Sequence, residues 1–318
     1  MNPLLAAGLA CLISIGVIRL RLRFADVGLD QPGHRSLHTR PTPHGGGIGV
    51  VAAVVVIGLW VGVPALWLLG VGVLAMLSLI DDWRHLPFWV RLLVHLAVSA
   101  FVVILHGAPT LPASISVLVL IAWSINAYNF MDGSDGLAGS MALVGFGAYA
   151  AGFALMDEGV FSAVCAALAG AAAGFLVFNW HPARIFMGDV GSIPLGFMAS
   201  GLGWYGVWAG FWPGWFPLLV FAPFLLDASV TLCKRILRRE RVWEAHRDHY
   251  YQRMVRLGES HAVVCRRWLG VMLVGGVLAL MLLVFDEPVW GWVFTLLWFG
   301  LLFVIGYRVD LRWNNHNK

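Results

Sequence analysis

Long apolar runs alternate with short polar clusters along nearly the whole chain. Eleven of these runs, each of about 16–21 residues, are long enough to cross a bilayer as helices. They cover residues 3–20, 46–63, 65–80, 88–105, 113–129, 137–155, 160–178, 191–208, 213–232, 268–285 and 289–307. None shows the residue-by-residue alternation of barrel strands, and only helices or closed barrels satisfy their backbone groups in lipid. The pattern therefore predicts an all-α, polytopic membrane bundle of about eleven transmembrane helices.

Basic residues are confined to every second connection between these runs. All 21 Lys and Arg lie in or within a few residues of segments 19–45, 81–87, 126–136, 179–190, 233–267 and 308–318. The intervening connections carry only acidic charges. The positive-inside rule then predicts a periplasmic N-terminus and a cytoplasmic location for the six basic segments. We interpret the chain, 1–318, as one membrane domain in which 233–267 forms a basic cytoplasmic loop.

Composition excludes an ordinary soluble domain. The chain is 60% hydrophobic and 12% charged, whereas soluble domains carry about 25% charged residues. Its four cysteines form no C-x-x-C pair, so neither a disulfide framework nor a zinc site is predicted. The first apolar run has no basic residues before it and is followed by Arg19, which indicates a retained span rather than a cleaved signal peptide.

Five aspartates fall in three of the predicted cytoplasmic segments: Asp81, Asp82, Asp132, Asp135 and Asp189. Acidic residues at membrane depth mark functional sites, and a group of carboxylates repels itself unless a cation compensates it. Mg²⁺ binds through one or two carboxylates together with substrate phosphates, and an oxygen-rich set without cysteine disfavours zinc. We predict that these aspartates meet at one rim of the bundle around Mg²⁺, with Mn²⁺ as the alternative ion. For a single residue such as Asp132, a helix cap is the competing interpretation.

Basic and histidine-containing segments supply the opposite charge. His38 and Arg40 lie in the first segment, and His246, Arg247 and His249 lie in the last loop. Arginine suits bidentate phosphate contacts, and such groups stabilise charge during phosphoryl transfer. These residues are predicted to hold a diphosphate.

Glycines precede several of the apolar runs. Gly45-Gly46-Gly47 and the Gly188–Gly191 segment would permit close approach of the backbone to a phosphate. His85, His95 and His106 belong to no cluster in the sequence, so we interpret them as structural.

Taken in order, these motifs resemble one enzyme family. They are Asp81-Asp82, the Asn126-x-x-Asn129-x-x-Asp132-Gly-x-Asp135-Gly run, the Phe186-Met-Gly-Asp189-x-Gly-Ser run, the His246–His249 loop and the opening segment 32–47. The chain is similar in these to the polyprenyl-phosphate N-acetylhexosamine-1-phosphate transferases, of glycosyltransferase family 4 type. The resemblance implies a multi-pass protein of the bacterial inner membrane, in which undecaprenyl phosphate attacks a UDP-N-acetylhexosamine to give a polyprenyl-diphospho-sugar and UMP. It also implies a homodimer and no nucleic-acid partner.

Residue roles follow from the resemblance, position by position. Asp189 resembles the Mg²⁺ ligand, Asp81 and Asp82 resemble the pair assigned to the metal or the lipid phosphate, and the histidine loop resembles the diphosphate site. Asn179, Asp135 and Phe186 resemble the positions that hold the uracil. The predicted catalytic residues are Asp81, Asp82, Asp132, His246 and His249; the predicted substrate-binding residues are Asn126, Asn129, Asp135, Asn179, Phe186, Arg184, Arg247, His38 and Arg40; and the predicted metal ligands are Asp189 and Asp81.

Departures from the family pattern select a branch. The peptidoglycan branch has a Lys shortly after its aspartate pair and consecutive histidines in its last loop, whereas this chain has Arg84-His85 and His246-Arg-Asp-His249. These differences favour the branch that initiates O-antigen, lipopolysaccharide or related surface glycans, with the phospho-N-acetylmuramoyl-pentapeptide transferases as the alternative. The residues leave open which hexosamine is used and whether transfer is direct or passes through an aspartyl-phosphate.

Three other interpretations fit the residues less well. A transporter would need polar groups through the outer half of the bundle, and Asp227 is the one deep acid. A transferase acting on CDP-alcohols would need an Arg after its Asp-Gly motif, which the run from Asp132 lacks. A non-catalytic scaffold would need none of these motifs.

Overall fold

The computed structural model describes residues 1–24, 28–33, 37, 40–242, 244, 246–285 and 288–316. Within them the chain forms helices and one short antiparallel sheet of β1 (Leu29–Asp30) and β2 (Thr42–Pro43). In chain order the helices are α1 Pro3–Leu22, α2 Gly47–Val61, α3 Ala65–Arg84, α4 Phe88–His106, α5 Leu111–Phe130, α6 Leu137–Leu155, α7 Gly159–Asn179, α8 Asp189–Trp208, α9 Trp215–Val220, α10 Ala222–Leu237, α11 Tyr250–Arg256, α12 His261–Phe285 and α13 Pro288–His316. The predicted all-α bundle is confirmed.

Eight of the described helices are long and apolar enough to cross a membrane: α1, α3, α4, α5, α6, α7, α12 and α13. The chain is therefore a multi-pass membrane protein. Helix α2 is apolar but has only 15 residues, and α8 lies largely inside the bundle, with most of its side chains buried.

The ninth predicted span, 213–232, is not one helix. It divides at Phe221 into the short α9 and the longer α10, because Pro223 stands at the start of α10. A proline ring clashes with the carbonyl four residues earlier, so it begins a helix more readily than it continues one. Helix α10 then runs beyond the predicted end of the span to Leu237.

Small residues let the central helices approach each other closely. Helix α7 packs against α1, α2 and α6, and α8 packs against α2, α3 and α5. A Cβ added at Gly170 of α7 would lie 2.1 Å from the Ala7 carbonyl oxygen of α1, and one at Gly47 of α2 would lie 2.4 Å from the Gly191 Cα of α8. Backbone contacts of this kind replace bulky side chains at membrane helix interfaces.

One end of the bundle collects the polar connections. Pro43 of β2 accepts a hydrogen bond from the Phe186 amide, and the amides of Gly46 and Gly47 donate to the carbonyl oxygens of Phe186 and Met187. The glycines therefore pair the first connection with the one before α8. Their predicted use as a phosphate cradle is wrong for Gly46 and Gly47, since both N–H groups are occupied by protein carbonyls.

Candidate active site

A cavity of about 670 Å³ opens at this polar end of the bundle. Its walls come from five of the six segments that the charge pattern places on one side of the membrane. All five predicted aspartates line it, together with the predicted Asn129, Asn179, Phe186 and His246. Segments far apart in sequence thus meet at one site, while the assignment of this end to the cytoplasm stays a prediction.

Asp132 and Asp189 form an acidic pair in this cavity. Asp132 follows α5 and accepts a hydrogen bond from the backbone N–H of Gly188, while the Asn129 side chain donates to Asp189. Ser192 of α8 donates to Asn129 Oδ1 at 3.0 Å. Dehydration by the surrounding protein raises the pKa of Asp132 well above its usual range, and the neighbouring Asp189 carboxylate raises it further.

The donor set fits a hard divalent cation. Among the described residues, Asp30 and the five predicted aspartates line the cavity and no Lys or Arg does. No three His, Cys, Asp or Glu side chains in the same part of the chain are close enough to enclose a metal. An open pair of carboxylates suits Mg²⁺, which usually takes one or two protein carboxylates and fills its remaining positions with water and substrate phosphate.

The adjacent aspartates of α3 have different surroundings. Asp81 Oδ1 accepts the Leu86 N–H at 2.6 Å, and Asp81 Oδ2 accepts from Arg91 Nη1 at 2.9 Å. Asp82 Oδ2 instead lies 3.8 Å from His44 Nδ1, with about a third of its side chain exposed. Both oxygens of Asp81 thus accept hydrogen bonds from the protein, so Asp82 is the more available of the two to a cation, and the assignment of Asp81 as a metal ligand stays a prediction.

The opposite wall joins the 131–136 and 180–188 connections. The Asn179 side chain accepts the Gly136 N–H at 2.8 Å and donates to the Ile185 carbonyl at 2.9 Å. Asp135 Oδ2 lies 2.7 Å from His181 Nδ1 and accepts the Ala183 N–H at 3.1 Å. Both residues therefore hold the wall in shape while lining the cavity.

Histidines that the sequence did not single out also reach this site. His261 lies in a hydrogen bond of 2.9 Å with Ser134, and its ring is parallel to that of His181 at 5.7 Å. His44 and His85 line the cavity as well, so the interpretation of His85 as purely structural is incomplete. Isolated histidines in four separate segments give no local pattern that sequence analysis detects.

The two histidines of the last loop, His246 and His249, have different surroundings. His246 lines the cavity, and burial, above all, lowers its pKa to about 4, an effect to which His249 and Arg235 add. His249 is buried, with its Nδ1 3.2 Å from Asp227 Oδ1. His246 is therefore neutral near pH 7, and its predicted contact with a diphosphate would be a hydrogen bond rather than a fixed charge.

The other predicted contacts lie away from the main cavity. Asn126 lines a neighbouring cavity with Arg91 and approaches His95 at 3.3 Å, and Arg184 is exposed and stacks over Phe178. Arg40 and Arg247 do not line the cavity either. The prediction for His38 lies outside the described residues.

The chain is similar to known proteins of one family. Residues 64–206 match the family model described as glycosyl transferase family 4. The chain is 35% identical to a phospho-N-acetylmuramoyl-pentapeptide-transferase of Synechococcus, over 74% of this chain and 73% of the relative. It is 27% identical to a probable undecaprenyl-phosphate N-acetylglucosaminyl 1-phosphate transferase of Bacillus subtilis, over 73% of this chain and 71% of the relative. It is 29% identical to a decaprenyl-phosphate N-acetylglucosaminephosphotransferase of Mycolicibacterium smegmatis, over 85% of this chain and 80% of the relative.

Proposed function

Because the chain belongs to glycosyl transferase family 4, the polyprenyl-phosphate N-acetylhexosamine-1-phosphate transferases, we propose that it transfers N-acetylhexosamine 1-phosphate from a UDP-sugar to undecaprenyl phosphate. The lipid phosphate oxygen forms a bond to the sugar-bearing phosphorus, and the bond from that phosphorus to the UMP oxygen breaks. The products are undecaprenyl-diphospho-N-acetylhexosamine and UMP.

The observation that carries this proposal is the acidic cavity itself. A diphosphate donor and a lipid phosphate are both anions, and the described cavity wall contains carboxylates without Lys or Arg. The reactants enter such a cavity only with a cation, so Asp132 and Asp189 are the proposed ligands of Mg²⁺, or of Mn²⁺ as the alternative ion, and Asp82 adds negative charge nearby. When bound, the ion neutralises the diphosphate and stabilises the charge that develops during transfer.

The remaining wall residues orient the donor. Phe186 offers an aromatic face in a connection fixed by its backbone hydrogen bonds to Pro43 and Gly46, which suits stacking on the uracil. Asn179 and Asp135 hold that same wall. His246 donates a hydrogen bond to the diphosphate. The lipid phosphate is largely a dianion at pH 7, since its second pKa is about 6, so no residue has to remove its proton.

Among the branches of the family, we favour initiation of a surface glycan such as O-antigen, from a UDP-N-acetylhexosamine. Two observations support this branch: the relatives named for N-acetylglucosamine phosphate transfer, and the histidines of the last loop, which are not consecutive in the sequence. The relative named for phospho-N-acetylmuramoyl-pentapeptide transfer makes that substrate the second candidate. The cavity then faces the cytoplasm of a bacterium from its inner membrane, which accords with the basic connections at this end.

The test is UMP release by the purified full-length chain in lipid nanodiscs with undecaprenyl phosphate and Mg²⁺. UDP-N-acetylglucosamine, UDP-N-acetylgalactosamine and UDP-N-acetylmuramoyl-pentapeptide are supplied separately, and the lipid product is identified by mass. We expect UMP with one of the first two donors and none without undecaprenyl phosphate. UMP with the muramoyl donor alone would select the second candidate, and absence of UMP with every donor would overturn the transferase proposal.

The metal assignment has its own test. Asp189→Asn is expected to lower turnover at least about 10²-fold, the size typical of losing one electrostatic contributor to a transition state, because a proposed ligand to the cation is removed. The melting temperature should stay the same or rise, since one of two repelling carboxylates becomes neutral. Near-normal turnover in Asp189→Asn would contradict the assignment.

A further inference from the structure

A second cavity, of about 390 Å³, lies on the other side of α11 from the candidate active site. Helices α12 and α13 form its long walls, and α10 and α11 close its inner side. Its apolar lining includes Trp268, Val271, Leu302, Ile305 and Val309. It shares no lining residue with the aspartate cavity, so it is a separate site.

Three arginines stand around one end of this second cavity. Arg267 of α12 and Arg312 of α13 share the carboxylate of Glu259, at 2.5 and 2.8 Å. Arg308 also lines the cavity, is exposed, and forms no ion pair within the part of the chain that the structure describes. Three guanidinium groups against one carboxylate leave an excess of two positive charges beside an apolar space.

An unpartnered polar group lies in the same wall. The Trp268 side chain is 7% exposed, and its indole N–H has no hydrogen-bond acceptor among the described residues. The indole nitrogen is itself fully buried, so it makes no contact with a ligand in the cavity. The cavity therefore combines an apolar body with a cationic end.

The apolar part of the second cavity covers part of the depth of one leaflet of a bilayer. From Arg308 to Leu302 the wall extends six residues along α13, or about 9 Å at the helical rise. Half of a hydrocarbon core is about 15 Å, so the end of an acyl chain extends past the cavity. Its arginines lie near the C-terminus of α13 and the start of α12, the end that the charge pattern places in the cytoplasm, where anionic lipids attract basic groups.

We propose that this cavity binds one anionic phospholipid of the inner leaflet. The phosphate lies among Arg267, Arg308 and Arg312, and an acyl chain packs along Trp268, Val271, Leu302 and Ile305. Occupancy also steadies α11, because Tyr250 and Met254 face the lipid cavity while Tyr251 and Gln252 line the aspartate cavity. This inference does not depend on the proposed transferase reaction.

The experiment is native mass spectrometry of the delipidated full-length chain titrated with dioleoyl-phosphatidylglycerol or dioleoyl-phosphatidylcholine. We expect one phosphatidylglycerol to bind more tightly than phosphatidylcholine. Arg308→Gln should weaken that binding about fivefold, since a basic residue near an anionic lipid surface contributes about 1 kcal/mol. Arg266→Gln, the same charge change on an exposed neighbour that does not line the cavity, is the matched control and should leave binding unchanged.

The apolar part is tested with Ile305→Trp, which fills the cavity, against Leu301→Trp, which places the same bulk on an exposed position of α13 outside it. Only the first should abolish the bound phosphatidylglycerol. Equal binding of the two phospholipids, or equal losses in Arg308→Gln and Arg266→Gln, would overturn the proposal.

Competition experiments distinguish a phospholipid site from a substrate site and from a simple anion site. Displacement of phosphatidylglycerol by undecaprenyl phosphate at equal concentration would identify a substrate site, and displacement by inorganic phosphate would identify a bare anion site; either outcome overturns the phospholipid assignment. A lipid-free dimer that Ile305→Trp dissociates would assign the cavity to a second copy of the chain and overturn it as well.

Discussion

At the scale of the residue, neighbouring aspartates differ because their partners differ. Asp81 accepts hydrogen bonds from Arg91 and from the Leu86 amide, so it fixes the turn between α3 and α4. Asp82 is next in sequence but faces His44 and the cavity. The pair therefore combines a structural carboxylate with one available for chemistry.

This difference predicts opposite effects of two conservative changes. Asp81→Asn should lower the melting temperature, because it removes an ion pair and weakens an amide acceptor, a loss of about 1–3 kcal/mol. Asp82→Asn should leave the melting temperature unchanged and reduce kcat at least about tenfold, because it removes charge from the proposed cation site. Thermal unfolding and UMP release on both variants check this, and a larger kcat loss in Asp81→Asn with an unchanged melting temperature would reverse the two roles.

The raised pKa of Asp132 predicts a pH-dependent stability. The folded protein binds this proton more tightly than the unfolded chain, so the free energy of unfolding falls as pH rises above the unfolded pKa of about 4 and levels off above the raised folded pKa. Mg²⁺ competes with that proton, so its stabilising effect should grow with pH. Melting temperatures measured between about pH 5 and pH 8, with Mg²⁺ and with EDTA, test both statements.

The matched variant for this test is Asp132→Asn, which has no proton to bind at this position. It should reduce the pH slope seen in EDTA without removing it, because burial also raises the pKa of Asp189 to about 6, and it should lose most of the stabilisation by Mg²⁺. A slope in EDTA that is the same in Asp132→Asn and in the parent chain would assign the pH dependence to other groups.

At the scale of the element, α11 is held in place by one buried carboxylate of α10. Asp227 accepts the N–H groups of Tyr250 and Tyr251 at 2.9 and 3.2 Å, and its Oδ1 also lies 3.2 Å from His249 Nδ1. The sequence marked Asp227 as the one deep acid of a membrane span. The structure instead gives it a positioning role, as the carboxylate that binds the free N–H groups at the start of a two-turn helix.

Removal of this charge should loosen α11. Asp227→Asn turns one acceptor oxygen into an amide donor facing a backbone N–H, so we expect a loss of about 2–3 kcal/mol of stability. Turnover should fall as well, because Tyr251 and Gln252 line the cavity. Thermal unfolding, with proteolysis of the 238–260 region as a local readout, measures the effect.

Thr231→Val is the graded control for α11. It removes only the hydroxyl that donates to Asp227 at 3.2 Å and should cost about 1 kcal/mol. Equal losses in the two variants, or resistance of Asp227→Asn to proteolysis, would show that the carboxylate does not anchor the helix.

At the scale of the whole molecule, close backbone crossings bring the polar connections to one cavity. Gly47 at the start of α2 touches Gly191 of α8, two residues after Asp189. The amide pairing of Gly46 and Gly47 with the 186–187 connection depends on this approach. The position of the acidic pair is therefore set by helix packing and not by its own loop alone.

The crossing of α2 and α8 predicts a large effect from one methyl group. The Cβ of Gly47→Ala would lie 2.4 Å from the Gly191 Cα, so α2 and α8 must separate, at a cost of about 1–3 kcal/mol, and turnover should fall with the melting temperature. Gly72→Ala adds the same methyl group within α3, where nothing lies within 4 Å, and should be neutral or stabilising. Melting temperatures and UMP release measured on both variants test this prediction. An unchanged melting temperature in Gly47→Ala would mean that α2 and α8 can separate without loss of stability.

The sequence by itself determined the class of fold, most of the helices and the residues of the acidic site. Lipid leaves backbone groups no partner outside a helix, so runs of apolar residues specify helices directly. The aspartates of the three motifs were identifiable because charge at membrane depth is costly and is kept for function. The described structure departs from the pattern around Pro223, where α9 and α10 replace one predicted span, and it has eight helices able to cross a membrane where about eleven were predicted.

The tertiary structure decided which of these residues touch. That Asp81 binds Arg91, that Asp227 binds the start of α11 and that His261 reaches Ser134 across 127 positions depends on where helices cross. Such packing is closest where glycines join distant segments, as between α1 and α7 or α2 and α8. A pairing across such distances leaves no period or spacing in the sequence, because it arises from packing in three dimensions.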